Sequence, residues 1–197
     1  MPDATTGSDP LLDHPAVARV RGALAAAGIT TDVVVLGEHA RTAASAAEQL
    51  GVEVGQIANS LVFAIPAPEA GEDGSGGNGG GNGGGNGGGN GGEEGGGREA
   101  VLVMTSGAHR VDLVRVAARL NVERLERADP DLVRRATGFA IGGVAPVGHP
   151  APLTTLVDVT LARHDEVWAA AGHPRTVFRT TYDQLLLLTG GQAAEVA

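Results

Sequence analysis

A run of glycine and asparagine interrupts this chain and sets the first limit on how it can fold. Of the 33 residues from 66 to 98, 18 are glycine, and the middle of the run repeats G-G-G-N. Fixing such a backbone costs about 1–2 kcal/mol per residue, with almost no apolar side chain to offset that cost. We therefore expect residues 66–98 to be a disordered Gly/Asn-rich insertion loop between two strands of a single domain, residues 1–197. A loop of this length is tolerable because closure entropy grows only logarithmically with length.

Apolar periodicity and capping residues predict an α+β fold. Helices are expected from Pro15 to a stop at Gly28, and at residues 42–50, 112–120, 130–137 and 181–189. Strands are expected at residues 32–36, 57–65, 99–105, 153–159, 166–171 and 176–179. Residues 100–104 are all apolar, so the strand 99–105 should be central. Because strands and helices do not alternate regularly, we expect a mixed, curled and barrel-like sheet flanked by helices.

Composition excludes several classes of protein. The chain has no cysteine, which rules out disulfides, a thiolate nucleophile and cysteine-ligated zinc. No apolar run approaches the roughly 18 residues of a membrane span, and the N-terminus is polar and acidic, unlike a secretory signal. We therefore expect a cytoplasmic protein with no membrane partner. The net charge of −9 argues against tight binding of nucleic acid through a broad basic surface, and no DNA partner is expected.

Arginines are nevertheless concentrated in one part of the chain. Seven of them lie between residues 110 and 135: Arg110, Arg115, Arg119, Arg124, Arg127, Arg134 and Arg135. Such a cluster can form a local phosphate-binding patch, and Arg110 can reach a phosphate bidentately. The same residues also fit a solvated helix face of mixed charge, so both interpretations stay open here.

The segment from Ala136 to Asp158 carries the strongest indication of a site. Two adjacent glycines, Gly142 and Gly143, are followed by a second bend at Pro146 and Gly148 and by an apolar strand that contains one acid, Asp158. Adjacent glycines allow the backbone to approach a ligand closely and to direct N–H groups at it. The alternative is a turn that only requires positive φ.

These motifs resemble the YbaK family, whose members are related to the editing domain of bacterial prolyl-tRNA synthetases. The resemblance rests on T-G-x-x-I-G-G-V-A-P-V-G, on T-S-G-A-H-R-V-D at residues 105–112, on the Asp158 strand, and on A-A-G-H-P at residues 170–174. It covers roughly residues 43–190 and implies a metal-free and cofactor-free aminoacyl-tRNA deacylase of α+β fold. The implied partners are mischarged aminoacyl-tRNA, with tRNA-Pro as the expected substrate, and a cognate aminoacyl-tRNA synthetase.

A deacylase acting on an activated ester needs few groups, because it binds the aminoacyl end, orients water or a substrate hydroxyl, and supplies donors to the oxyanion. The expected catalytic residues are Asn59, Gly142, Gly143 and Asp158, with the glycine N–H groups as oxyanion donors. Asp158 would hold the substrate ammonium or a ribose hydroxyl; alternatively, it is a buried acid that caps a turn. The expected substrate-binding residues are Ser60, Thr105, Ser106, His109, Pro146, Gly148 and His173. The six histidines show no metal-ligand spacing.

One position departs from the family pattern. The sequence reads I-A-N-S-L-V-F from residue 57, so Asn59 occupies the position at which the family typically has lysine. Asparagine donates a hydrogen bond but brings no positive charge to a phosphate or an oxyanion. Two functions therefore remain: an editing hydrolase, or a non-catalytic module that binds aminoacyl-tRNA or a small ligand and has lost the lysine-dependent step. A nucleotide-binding glycine loop is a weaker third interpretation, because no G-x-x-x-x-G-K-[ST] motif is present.

Overall fold

The computed structural model describes residues 9–67 and 98–197, so nearly all of the predicted insertion lies outside the described residues. The α-helices are α1 (Pro15–Ala26), α2 (Ala43–Leu50), α3 (Leu113–Leu120), α4 (Pro130–Thr137) and α5 (Tyr182–Thr189). The strands are β1 (Val33–Val35), β2 (Ile57–Ile65), β3 (Glu99–Ser106), β4 (Glu126–Arg127), β5 (Thr154–Asp158), β6 (Val167–Ala170), β7 (Thr176–Thr180) and β8 (Gln192–Ala194). The predicted helices and strands are all found, and β4 and β8 are additional.

Local sequence signals account for the helix boundaries. The Asp129 side chain accepts a hydrogen bond from the Leu132 N–H at the start of α4, and Gly138 ends that helix with φ +72°. Thr181 and Gln184 form a reciprocal capping box at the start of α5. Glycine adopts the left-handed conformation after α4 at little energetic cost, because it has no Cβ to clash with the preceding turn.

The eight described strands form one mixed sheet in the order β1-β7-β6-β2-β3-β5-β8, with β4 added to β2. β3 is antiparallel to β2 and parallel to β5. These pairings confirm the predicted α+β class with a mixed sheet. The sheet is not a closed barrel, because within the described residues β1 and β8 are its two ends and do not pair with each other.

β3 occupies the middle of the core, as its apolar sequence predicted. On one face, Leu102 and Met104 belong to the larger cluster, which includes Phe139 at the end of α4. On the other face, Val101 and Val103 pack in a cluster with residues of α3. Because both faces of the strand are covered, every residue from 101 to 106 is buried.

The opposite edge of β2 is interrupted. β6 pairs with β2 only at Ile57 and Ala58, and β4 pairs with it only at Phe63 and Ala64. Between these pairings, residues 59–61 have no partner strand on this edge among the described residues, whereas the Val62 carbonyl accepts a hydrogen bond from the Ala128 N–H at 3.4 Å. Such an edge presents backbone donors and acceptors.

Candidate functional site

A pocket of about 390 Å³ opens at the interrupted edge of β2. Residues 57–63 of β2 form its floor, the start of α2 forms one wall, and the loop at residues 141–144 forms another. Trp168 of β6 and Pro174, which precedes β7, also line it. The volume falls within the roughly 300–1,000 Å³ typical of small-molecule sites.

Two of the predicted site residues enter this pocket from β2. Asn59 lines it and pairs across the sheet with Thr105 of β3. Ser60 lines it as well, and its hydroxyl contacts Met104 Sδ at 3.2 Å. Because successive side chains of a strand point to opposite faces of the sheet, Asn59 and Ser60 line the pocket from opposite sides of the β2 edge.

The two adjacent glycines have different environments. Gly142 lines the pocket and has φ +88°, a conformation that side chains disfavour. The Gly143 N–H instead donates to the Ala140 carbonyl at 3.0 Å, and the residue does not line the pocket. Because its N–H is used within the turn, the predicted oxyanion role for Gly143 does not fit this geometry. Of the two glycines, only Gly142 lies where its N–H could face a ligand in the pocket.

The second bend of the glycine loop faces away from the pocket. Pro146 is buried and does not line the pocket. Gly148 has φ +81° and lies against Arg19 of α1 and the ring of Phe139. Both residues therefore position the loop against the core and do not contact a ligand in the pocket.

Asp158 lies outside the pocket, at the end of β5, and is 1% exposed. Its Oδ2 accepts a hydrogen bond from the Ser106 N–H at 3.2 Å and lies 3.0 Å from His109 Nδ1. Oδ1 accepts a hydrogen bond from the Thr160 N–H at 3.0 Å, which caps the 3-10 turn at Val159–Arg163. Thr105 Oγ1 lies 3.4 Å from the same carboxylate. The geometry thus matches the alternative interpretation, a buried acid that caps a turn.

The hydrogen bonds around Asp158 decide its charge. Burial by itself raises the pKa of the carboxyl, but the bonds from Thr160, Ser106 and His109 act in the opposite direction. The net pKa lies below the ordinary value of 3.8. Asp158 is therefore a carboxylate at neutral pH, and it joins Ser106 and His109 to the end of β5.

His173 lies beside the pocket without lining it. Its Nδ1 accepts the Arg175 N–H at 3.2 Å, and its ring packs against that of His14 at a centroid distance of 5.4 Å. Burial lowers the pKa of His173, and the nearby His14, Arg175 and His39 lower it further. The His173 ring is therefore mainly neutral at pH 7. The predicted substrate-binding residues are thus divided between the pocket and its surroundings.

The charges at the pocket were only partly anticipated. Arg41 and Arg127 line it, and none of the described lining residues is Asp or Glu. Arg127 belongs to the arginine cluster noted in the sequence, whereas Arg41 was not identified. Elsewhere in that cluster, Arg115 contacts Glu195 at 2.7 Å and Arg119 donates to Gln192 at 3.1 Å, as on a solvated face of mixed charge.

Residues 9–67 and 98–197 contain neither a metal-binding cluster nor a membrane-spanning helix. No group of three or more His, Asp or Glu side chains there could hold a metal ion. No helix in those ranges has the length and apolar character needed to cross a membrane.

A family model and a solved relative together identify the family of this chain. A family model described as the aminoacyl-tRNA editing domain matches residues 89–188. A solved structure described as a candidate trans-editing enzyme for prolyl tRNA synthetase is 40% identical over 92% of this chain and 96% of that chain, with a TM-score of 0.71. A scaffold protein from computational grafting of linear epitopes is 38% identical over 93% of this chain and 97% of that chain, with a TM-score of 0.71. A hypothetical protein, APE2540, is 21% identical over 90% of this chain and 98% of that chain, and at a TM-score of 0.69 it shares the fold.

Proposed function

This chain belongs to the aminoacyl-tRNA editing domain family, as its YbaK-like motifs predicted, and we propose that it is a trans-editing hydrolase that releases wrongly attached amino acids from tRNA. Mischarged tRNA-Pro is the proposed substrate, because one relative is described as a candidate trans-editing enzyme for prolyl tRNA synthetase. The proposed site of action is the cytoplasm, with a cognate synthetase as a further partner.

The observation that carries the proposal is the pocket at the interrupted edge of β2. It places the Asn59 amide and the Gly142 loop on one cavity of about 390 Å³. The largely apolar walls suit a small side chain, while the free strand edge offers backbone groups to the polar ester and ribose. Family membership and pocket chemistry thus support the same reaction.

In the proposed reaction, water attacks the ester carbonyl carbon and the bond from that carbon to the ribose oxygen breaks. One proton of the water goes to the departing ribose oxygen and the other goes to solvent, which leaves the free amino acid and a tRNA with its terminal hydroxyl restored. The Asn59 amide and the Gly142 N–H are the proposed donors to the tetrahedral oxyanion. Donors of this kind act most strongly where water is excluded.

The pocket itself provides no obvious side-chain base. None of the described residues that line it is a histidine or a carboxylic acid. An aminoacyl ester is activated enough that orientation of water and stabilisation of the oxyanion are the main requirements. The proposed mechanism therefore assigns positioning to the protein and proton acceptance to water or to a ribose hydroxyl.

The test is deacylation of Ala-, Cys- and Ser-tRNA-Pro by the purified protein, with Pro-tRNA-Pro as the control substrate. Selective release of one mischarged amino acid, lost in Asn59→Ala with an unchanged melting temperature, is the expected result. Release of proline at the same rate, or no release by a folded protein, would contradict an editing function.

Asn59 also favours a second candidate function, a non-catalytic module that binds aminoacyl-tRNA. If the missing charge has removed activity, Asn59→Lys should create deacylation in a protein that otherwise only binds. If the native protein already hydrolyses a mischarged tRNA, the binding-module interpretation fails.

A further inference from the structure

The pocket has the opposite charge to the protein around it. The chain carries a net charge of −9, yet the only charged residues among the described lining residues are Arg41 and Arg127. The chain contains no lysine, and all 14 of its basic residues are arginine. Apart from protonated histidine, every side-chain cation of this protein is therefore a guanidinium.

Both guanidinium groups are available to a ligand. Arg41 and Arg127 are exposed, and neither has a carboxylate partner among the described residues. By contrast, Arg98, Arg115 and Arg179 each lie 2.7 Å from a carboxylate oxygen. Other exposed arginines, such as Arg21 and Arg110, also have no carboxylate partner among the described residues, so it is the position of Arg41 and Arg127 at one cavity without an acid that indicates an anionic ligand.

The two arginines flank the free edge of β2 from its two ends. Arg127 lies in β4, directly opposite Phe63. Arg41 lies two residues before Ala43, the first residue of α2. Ala43 and Ile57 both lie against Gly107, which places Arg41 near the Ile57 end of the edge. Ile57 and Phe63 are six residues apart, or about 20 Å along an extended strand. The edge that faces the pocket lies between them.

We propose that Arg41 and Arg127 hold successive phosphates at the 3′ end of the tRNA while the aminoacyl ester occupies the pocket. The inference rests on the proposed function, because it takes an aminoacyl nucleotide as the occupant. In that occupant the phosphates lie next to the ribose that carries the ester, and guanidinium groups bind phosphate oxygens bidentately. Positive charge at the rim also explains how a neutral asparagine at position 59 is compatible with a nucleotide ligand.

The test compares two non-hydrolysable alanyl amides by calorimetry. One is built on 3′-amino-adenosine and has no phosphate, and the other is built on the dinucleotide pCpA and has two phosphates. The native protein should bind the second at least about tenfold more tightly, since hydrogen bonds between guanidinium and phosphate are charge-assisted and therefore strong. Arg41→Gln and Arg127→Gln should each reduce that preference, and the double variant should abolish it.

Arg21→Gln is the matched control, because Arg21 is an exposed arginine of α1 that does not line the pocket. It should leave the preference for the phosphorylated ligand unchanged. The slope of log Kd against log salt concentration should fall by about 0.7 for each phosphate contact removed. A preference that survives in the double variant, one that depends on a single arginine, or no preference in the native protein would overturn the proposal.

The same variants separate this inference from the proposed function. If the native protein fails to deacylate any mischarged tRNA-Pro but shows an arginine-dependent preference for the pCpA amide, the phosphate site stands and the hydrolase proposal fails. If deacylation is rapid and equally rapid in both arginine variants at limiting substrate, the hydrolase stands and the phosphate site fails.

Discussion

Gly143 lies so close to His173 that a Cβ atom on the glycine would be 3.0 Å from both the Cα and the carbonyl carbon of His173. Backbone atoms cannot rotate out of the way as a flexible side chain can. Gly143→Ala should therefore displace the loop that carries Gly142 and destabilise the protein by about 1–3 kcal/mol, as overpacking typically does. Chemical denaturation measures the free energy of unfolding, and single-turnover deacylation measures the effect on the pocket.

Gly22 provides a control with the same chemical change. It lies within α1, and a Cβ atom there would meet no other atom within 4 Å. Gly22→Ala should stabilise the protein by about 0.5–1 kcal/mol, because alanine is the better helix former. Equal destabilisation by the two substitutions would contradict the packing argument for Gly143.

Asp158→Asn should destabilise the fold at pH 7 and leave the shape of the pocket intact. The Asp158 carboxylate is buried and accepts hydrogen bonds from the Ser106 and Thr160 N–H groups, with His109 Nδ1 also in contact. An amide at this position is a weaker acceptor for all three groups. A loss of about 1–3 kcal/mol is expected for bonds of this kind. Urea denaturation measures it. If activity instead falls while stability stays native, Asp158 contacts the substrate directly, as first predicted from the sequence.

The same residue should give the native protein a distinctive response to acid. The folded pKa of Asp158 is lower than its ordinary value of 3.8, so the unfolded chain binds this proton more readily. Its stabilising contribution is therefore complete above about pH 4 and is lost as pH falls through the folded pKa. As the pH falls below about 4, the stability difference between the native protein and Asp158→Asn should shrink. A difference that stays constant with pH would contradict this.

Loss of the Asn59 amide should affect the chemical step more than binding. Removal of one oxyanion donor lowers kcat by roughly 100- to 1,000-fold in hydrolases, so Asn59→Ala should show a large fall in the single-turnover rate with a native melting temperature. Asn59→Asp is the matched comparison, because its carboxylate has nearly the same shape as the amide but cannot donate a hydrogen bond at neutral pH. A native single-turnover rate in Asn59→Asp would contradict the donor role.

The pH dependence of deacylation tests whether a side chain acts as the base. Because no histidine or carboxylic acid lies among the described lining residues, log kcat should rise with a slope of about 1 between about pH 6 and 8, without a plateau. His173 has a pKa lowered by burial and by the nearby His14, Arg175 and His39, so any inflection from its ring would lie below the ordinary value of 6.5. A plateau that is removed by substitution of His173 would assign the base to that histidine.

The parts of the fold that were predictable are those with local signals. Proline, aspartate and glycine at the ends of α4 fix its boundaries within one turn of chain, and the apolar run of β3 marks it as central. β4 and β8 were missed because two or three residues are too short for a periodic pattern. The sequence also did not predict that the sheet is open, because this depends on β1 and β8 not pairing with each other.

The candidate site was predictable only where a motif runs along the chain. Asn59 and Gly142, each part of a short sequence motif, both line the pocket, and their catalytic role stays a prediction. Arg41 was not identified, because only the position of α2 beside β2 brings it to the cavity. The direction of the Asp158 side chain also depends on distant partners, Ser106 and His109. Such contacts have no signature in a single sequence.

The pairing of β1 with β7 has a consequence for how the protein is made. Val33 pairs with Phe178, so among the described strands the first has no partner until the chain has been synthesised as far as residue 178. Contacts this distant in the chain slow folding, because the intervening segment loses entropy before any bond forms. On the ribosome, β1 therefore keeps unpaired edges long after β2 has found its partner β3, and we expect β1 to be the strand that a chaperone would shield.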